Sequence, residues 1–158
     1  MSAIDDMLER ARRGRVPPSM PPEPAKGLAI VTCMDARVMP EAIFGLRPGE
    51  AHVVRNAGGI VTDDVVRSVL VSQQAMGTRA VMVIQHSQCG MLGLDDHRFK
   101  RAVRERLGRA PVGEIGGFDD HAQRLRASRR ALERAGLAAG EVRTFVYDID
   151  DGSLVEYP

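Results

Sequence analysis

The sequence predicts an α/β fold in which a mostly parallel central sheet is flanked by helices. Short continuous apolar runs, which are typical of strands buried on both faces, alternate with segments of helical periodicity. The chain has 158 residues, the size of a single domain, and 44% of them are hydrophobic. We therefore expect an N-terminal helix and proline-rich arm in residues 1–27, followed by one α/β domain in residues 28–158.

The first element is an amphipathic helix at residues 2–13, and a proline-rich stretch at 14–27 follows it. The apolar residues of the helix recur at helical spacing: Ile4, Met7, Leu8 and Ala11. Repeated prolines favour an extended arm over a linker to a second domain. The apolar face of this helix needs a packing partner, and we expect the helix and arm to contact a neighbouring subunit.

The remaining elements are predicted from the alternation of apolar runs and helical patterns. Pro40 begins the short helix at 40–45, and Gly77 ends the longer helix at 61–76. Asp63 and Asp64, close to a helix start, are interpreted as caps. In order, the elements are strand 28–33, helix 40–45, strand 51–55, helix 61–76, strand 80–85, helices at about 94–107 and 119–135, and two closing strands at 142–149 and 153–157 joined by a turn at Asp151-Gly152.

Charge and composition exclude several classes of function. The chain has 22 Lys plus Arg against 21 Asp plus Glu, a net charge of +1, which argues against a polyanion-binding protein. The arginine-rich segments 98–109 and 124–134 are interrupted by acids and are interpreted as solvated helix faces, so no nucleic-acid partner is expected. The first fifteen residues have no apolar core, and no run approaches the roughly 20 residues of a membrane span. These observations predict a cytoplasmic protein without a membrane partner.

Candidate metal ligands follow two of the predicted strands. Cys33, Asp35 and Arg37 lie at the end of the first strand, and His86 and Cys89 lie at the end of the third. Ligands of open parallel sheets gather at the carboxyl ends of strands. Two sulfurs and an imidazole suit tetrahedral Zn²⁺, with Asp35 as a fourth ligand or beside the metal. Arg37 can pair with Asp35 through two parallel hydrogen bonds.

Each of these residues also has an ordinary structural interpretation. The two cysteines could be inert core residues, since free cysteine is among the most buried residue types. Asp35 and Arg37 could form a surface ion pair without function, and His86 could be a hydrogen-bonded structural histidine. The coincidence of all these residues at one sheet edge favours a metal site over the separate explanations.

Three motifs resemble the signature segments of the β-class carbonic anhydrases. They are C-x-D-x-R at 33–37, R-N-A-G-G at 55–59 and H-x-x-C-G at 86–90, in the order of that family. The resemblance implies an α/β zinc enzyme that reversibly hydrates CO₂ to bicarbonate and a proton. It also implies a homodimer or a dimer of dimers with the active site at the subunit interface.

The resemblance further implies a role for each matched residue. Cys33, His86 and Cys89 would be zinc ligands, and Asp35 and Arg37 would be a catalytic dyad in which Asp35 alternates between the metal and a hydrogen bond. Three glycines are expected to border the substrate, although a plain turn is the alternative at the first two. These glycines are Gly58, Gly59 and Gly90.

Other functions remain open at this stage. Carbonyl sulfide and carbon disulfide hydrolases share the fold and the metal set of the β-class enzymes, so hydrolysis of either compound is an alternative on the same site. A non-catalytic protein is a further alternative, in which Asp35 permanently closes a four-ligand structural zinc. His52 could transfer protons to solvent, but a surface histidine is the preferred interpretation.

Overall fold

Helices and strands alternate along the chain as the sequence predicts. The structure is a computed structural model that describes residues 2–14, 19–137 and 141–158. Its elements are α1 (Ala3–Arg13), β1 (Leu28–Cys33), α2 (Pro40–Ile43), β2 (Ala51–Asn56), α3 (Asp63–Met76), β3 (Ala80–His86), α4 (Asp96–Leu107), α5 (His121–Arg134), β4 (Val142–Tyr147) and β5 (Leu154–Tyr157), with a 3₁₀ turn at Ala57–Gly59.

The five strands form one sheet in the order β2-β1-β3-β4-β5. The first four of these are mutually parallel, and only β5 runs antiparallel to its neighbour β4. At the carboxyl end of the sheet, Cys33 lies opposite Asn56 of β2, while His86 lies opposite Tyr147 of β4. The predicted α/β fold with a mostly parallel sheet is therefore confirmed, and the ends of β1, β2 and β3 meet at one edge.

Both faces of the sheet are covered, which explains why β1 and β3 are almost continuously apolar. One face packs against α3 and α5, and its buried cluster includes Val31, Val69, Val83, Leu125 and Leu132. The opposite face carries a smaller cluster built around Ile30, Ile84 and Phe145. Successive residues of β1 thus enter different clusters, as the alternation of side chains along a strand requires.

Three helices begin two residues later than the sequence predicts, for the same physical reason. Thr62, Asp95 and Asp120 each stand before the first helical turn and accept a hydrogen bond from the backbone N–H three residues further along. These side chains satisfy amide groups that the helix leaves unpaired. Asp63 and Asp64 lie inside the first turn of α3, where acids favour the helix dipole, but neither is the cap as predicted, because that position belongs to Thr62.

The N-terminal helix has no buried residue in the described structure. Its apolar side chains are uncovered, and Ile4 is 72% exposed. The described part of the proline-rich arm, residues 19–27, is anchored where Ala25 and Lys26 donate backbone hydrogen bonds to Gly49 and Glu50. Pro17 and Pro18 lie outside the described residues, and the division of the chain after residue 27 stays a prediction. Among the described residues, no helix combines the length and apolar character needed to cross a membrane.

His52 is half-buried and ties the arm to the domain, which differs from the surface position expected for it. One ring nitrogen, Nε2, lies 2.8 Å from the Pro22 carbonyl oxygen, and Nδ1 lies 2.7 Å from Ser72 Oγ. His52 occupies the amino end of β2, opposite Ala29. It therefore lies at the sheet edge opposite to Cys33 and has a structural role in this position.

The 3₁₀ turn after β2 approaches the backbone of β1 and β3 very closely. Gly59 has φ of 58°, and a Cβ added to it would lie 2.8 Å from the Cys33 amide nitrogen and 2.9 Å from the Ile84 carbonyl oxygen. Gly77, the residue that ends α3, also has a positive φ, of 72°, but an added Cβ would meet nothing within 4 Å. Gly59 is thus restricted by space as well as by conformation.

We expect Gly59→Ala to destabilise the protein by about 2–4 kcal/mol, because steric overlap with strand backbone adds to the cost of a left-handed side-chain-bearing residue. Gly77→Ala is the matched control, and it carries only the conformational cost, about 1 kcal/mol. Denaturant unfolding of both variants in the presence of a chelator measures the difference. Equal destabilisation by the two substitutions would show that the close approach at Gly59 is not constraining.

Candidate metal centre

Three buried donor atoms meet at the carboxyl edge of the sheet. Cys33 is the last residue of β1, His86 is the last residue of β3, and Cys89 follows in the next turn. The two Sγ atoms are 4.0 Å apart, and the ligand atoms of all three residues lie within 4.8 Å of one another. The parallel pairing of β1 with β3 produces this convergence, since it places residues from distant parts of the sequence at one edge.

His86 is held in the tautomer that leaves one nitrogen available. Its Nδ1 lies 2.8 Å from the Ser87 carbonyl oxygen, which can only accept, so Nδ1 carries the proton. The other nitrogen, Nε2, is buried and has no hydrogen-bond partner among the described residues. Burial also lowers the pKa of His86, which keeps the imidazole neutral and its Nε2 lone pair free at pH 7.

The donor set fits a zinc ion. Tetrahedral Zn²⁺ with Zn–S bonds of about 2.3 Å places two sulfurs about 3.8 Å apart, close to the 4.0 Å observed between Cys33 and Cys89. Both cysteines are free thiols. Burial raises the pKa of Cys89, so metal binding has to displace a proton from this sulfur. A metal would also supply the missing partner of the His86 Nε2 atom.

Asp35 and Arg37 form a two-point ion pair beside the three donors. Arg37 Nε lies 3.0 Å from Asp35 Oδ1 and Nη2 lies 2.8 Å from Oδ2, while the Arg37 backbone N–H donates to Oδ1. These hydrogen bonds hold the pKa of Asp35 well below its usual range, so the carboxylate is ionised at neutral pH. Asp35 Oδ2 is 3.9 Å from His86 Nε2. The carboxylate thus lies next to the donors while Arg37 holds it.

The R-N-A-G-G motif stabilises the end of β1. Arg55 Nε donates to the Cys33 carbonyl oxygen at 3.0 Å, and Arg55 Nη2 donates to the Asp35 carbonyl oxygen at 2.7 Å. Asn56 exchanges two side-chain hydrogen bonds with the backbone of Ile60, which closes the 3₁₀ turn. The Arg55 side chain of the neighbouring strand therefore fixes the backbone from Cys33 to Asp35.

The three predicted substrate glycines occupy different environments. Gly58 and Gly59 are buried in the 3₁₀ turn, and both have positive φ angles. Gly90 is exposed, and an added Cβ there would meet nothing within 4 Å. Gly59 lies against the backbone of Cys33 and Gly58 lies against the Met91 side chain, whereas Gly90 adjoins the donors only along the chain, next to Cys89. Contact of these glycines with substrate stays a prediction.

An apolar wall adjoins the two cysteines. Ile60, Met91 and Phe118 are buried in one cluster with Cys33 and Cys89. The wall combines residues from the turn after β2, the loop after β3 and the segment before α5. Such surroundings favour a small molecule without charge over a polar one.

Several polar residues at the site were not predicted from the sequence. Gln85 is fully buried in β3 and donates from Nε2 to the Gly58 carbonyl oxygen at 3.2 Å. His121 Nδ1 lies 2.9 Å from Gln85 Oε1, which links α5 to the 3₁₀ turn. The position of Gln85 at the end of the apolar run 80–85 could have indicated a buried polar residue near the site. No sequence pattern pointed to His121, or to the contacts that Gln88 makes with Arg37 and Asp150.

Comparisons with known proteins match both the sequence and the fold. The profile of the family described as carbonic anhydrase matches residues 28–112. Beta-carbonic anhydrase 1 of Mycobacterium tuberculosis is 41% identical over 139 residues, covering 87% of this chain and 85% of that protein. A carbonic anhydrase crystal structure from Streptococcus mutans has a TM-score of 0.89 and 31% identity, covering 100% of this chain and 99% of that chain.

A second group of relatives is similar over a shorter stretch. The carbon disulfide hydrolase of Saccharolobus solfataricus is 52% identical over 65 residues, which cover 41% of this chain and 32% of that protein. The profile match contains all three donors together with Asp35 and Arg37. Similarity therefore extends over the fold and over the residues that build the centre. The chain belongs to the β-carbonic anhydrase family.

Proposed function

We propose that this chain is a zinc-dependent carbonic anhydrase that reversibly hydrates CO₂ to bicarbonate and a proton. The observation that carries the proposal is the unpartnered His86 Nε2 atom, buried beside two thiols and an arginine-held carboxylate. Cys33, His86 and Cys89 would hold the zinc ion, with Asp35 as an alternating fourth ligand. A zinc ion there would act as a Lewis acid and lower the pKa of water.

The protein's own residues contribute orientation and exclusion. Asp35, ionised because Arg37 hydrogen-bonds to it, is able to accept a hydrogen bond from water and orient it. Arg37 would compete with a bound metal ion for this carboxylate and hold it away from the ion. Ile60, Met91 and Phe118 present an apolar surface to CO₂ and limit the access of bulk water.

Carbon disulfide hydrolysis is the second candidate function. It is supported by the 52% identity to a carbon disulfide hydrolase over 65 residues, although the similarity to the M. tuberculosis β-carbonic anhydrase spans 87% of the chain. Carbonyl sulfide is a third small apolar substrate of the same shape. A structural zinc site would instead require Asp35 to stay on the metal, whereas Arg37 engages both of its carboxylate oxygens here.

The assembly proposed for the active protein is a homodimer or a dimer of dimers in the cytoplasm. The uncovered apolar face of α1, with Ile4 72% and Met7 52% exposed, supports a contact with a second copy of the chain. Two free cysteines in a metal centre suit a reducing compartment, where thiols persist.

Turnover of the three substrates on one zinc-loaded preparation tests the proposed reaction. We expect CO₂ hydration, followed by stopped-flow pH-indicator absorbance, to exceed the hydrolysis of carbon disulfide and carbonyl sulfide, followed by sulfide release, at least tenfold in kcat/KM. A reversed order would assign the chain to the hydrolases. Stoichiometric zinc without turnover of any substrate would favour a structural metal site.

Cys89→Ser is expected to lose at least nine-tenths of the bound zinc, since an alcohol is a poor zinc donor in place of a thiolate. Met91→Leu is the matched control, because Met91 is buried in the same apolar cluster but is not among the three donors. Elemental analysis of the dialysed proteins gives the metal content. Retention of full zinc by the serine variant would remove Cys89 from the ligand set.

Asp35→Asn is expected to retain zinc but to lose most CO₂ hydration, by about 10²-fold, because the neutral amide orients water poorly and no longer pairs with Arg37. Asp64→Asn serves as the control, since Asp64 also pairs with an arginine but on the exposed surface of α3. Stopped-flow rates are normalised to the zinc content. A rate for the Asp35 variant within twofold of the unsubstituted protein would exclude a catalytic role for the carboxylate.

A further inference from the structure

Arg37 is held from two sides. On one side its Nε and Nη2 atoms donate to the Asp35 carboxylate. On the other side Nη1 donates to Gln88 Oε1 at 3.2 Å, and Nη2 also donates to the Gln88 backbone carbonyl oxygen at 3.3 Å. All three guanidinium nitrogens therefore have partners. Gln88 restrains the side of the guanidinium that points away from Asp35.

The orientation of the Gln88 amide is fixed by the chemistry of its two neighbours. Its Nε2 donates to Asp150 Oδ2 at 2.8 Å, while its Oε1 accepts from Arg37. Arginine can only donate and an ionised carboxylate can only accept, so the amide has one way to satisfy both. A carboxylate at position 88 would satisfy Arg37 but would repel Asp150. The amide thus connects the ion pair at the metal centre to the turn between β4 and β5.

Two features of the backbone bring Gln88 and Asp150 together. Gln88 has φ of 57°, and it is the only residue other than glycine with a positive φ in the described parts of the chain. This conformation is uncommon for a side-chain-bearing residue, and it occurs between the donors His86 and Cys89. On the other side of the contact, the Ile149 backbone N–H donates to Ser87 Oγ at 2.9 Å, which ties the β4–β5 turn to the same segment.

We propose that Gln88 and Asp150 are positioning residues that hold Arg37 against Asp35 and so keep the Asp35 carboxylate off the metal. The inference rests on the proposed function, since it concerns the open position at the zinc centre. Without the Gln88 side chain, Arg37 Nη1 loses its hydrogen bond, and only the backbone carbonyl oxygen of residue 88 still restrains the guanidinium on the side away from Asp35. The Asp35 carboxylate then competes more effectively for the fourth metal position.

Cobalt-substituted protein provides a readout that does not depend on turnover. Azide binding to Co²⁺ is followed through the visible absorption bands, and it requires a position that Asp35 does not occupy. We expect Gln88→Gly, which accepts the left-handed backbone but lacks the amide, to bind azide about tenfold more weakly. CO₂ hydration should lose a similar factor in kcat with little change in KM. Asp151→Asn, a charge removal in the same turn without contact to Gln88, is expected to leave both values unchanged.

An exchange of the two side chains separates positioning from a general structural effect. We expect Gln88→Glu to weaken azide binding about tenfold, because its carboxylate faces Asp150. The double variant Q88E/D150N should restore azide affinity to within about threefold, since an amide and a carboxylate again face each other with their roles exchanged. Failure of the double variant to recover, with zinc content and melting temperature unchanged, would overturn the proposal.

The mobility of the Arg37 side chain in metal-free protein tests the same contact directly. ¹⁵N relaxation of the Arg37 Nε–H group should show greater motion in Gln88→Gly than in the unsubstituted protein. Equal mobility and equal azide affinity would refute the positioning role, even if CO₂ hydration is observed. Absence of CO₂ hydration in the unsubstituted protein would instead contradict the proposed function, and the relaxation and azide measurements would still decide the role of Gln88.

Discussion

The centre depends on the convergence of two buried thiols and one buried imidazole nitrogen at one end of the sheet. Cys33 and Cys89 are each 5% exposed, and His86 is fully buried with its Nε2 atom unpaired. A buried polar atom without a partner costs free energy, which a bound metal ion would recover. The parallel register of β1 and β3 enforces this arrangement, and the surrounding motif residues fix the strand ends against one another.

A second constraint is the competition for the Asp35 carboxylate. Arg37 binds it at both oxygens, while one of these oxygens is 3.9 Å from the unpaired His86 Nε2 atom. A small displacement would therefore exchange one partner for the other. In the proposed centre the carboxylate would have two accessible partners, Arg37 and the metal ion, and the contacts around Arg37 would determine the balance between them.

Much of this arrangement could be predicted from the sequence because it follows from local rules. Apolar runs gave the strands, and residues that follow buried parallel strands must share one edge, so Cys33 and His86 could be placed together. The predicted start of α3 was two residues too early, because the apolar pattern continues through the capping residue Thr62 and does not mark where the helix begins. The Gln88–Asp150 contact could not be predicted, since the two residues are 62 positions apart and meet only after β4 and β5 are formed.

The parallel sheet also has a consequence for the order of assembly. The two sulfurs belong to residues 56 positions apart, and β1 joins β3 only through a connection that contains the edge strand β2. Long-range parallel pairing is slow compared with the formation of single helices. A metal ion would therefore be captured late in folding, because the emerging polypeptide has only isolated donor residues until β1 and β3 have paired.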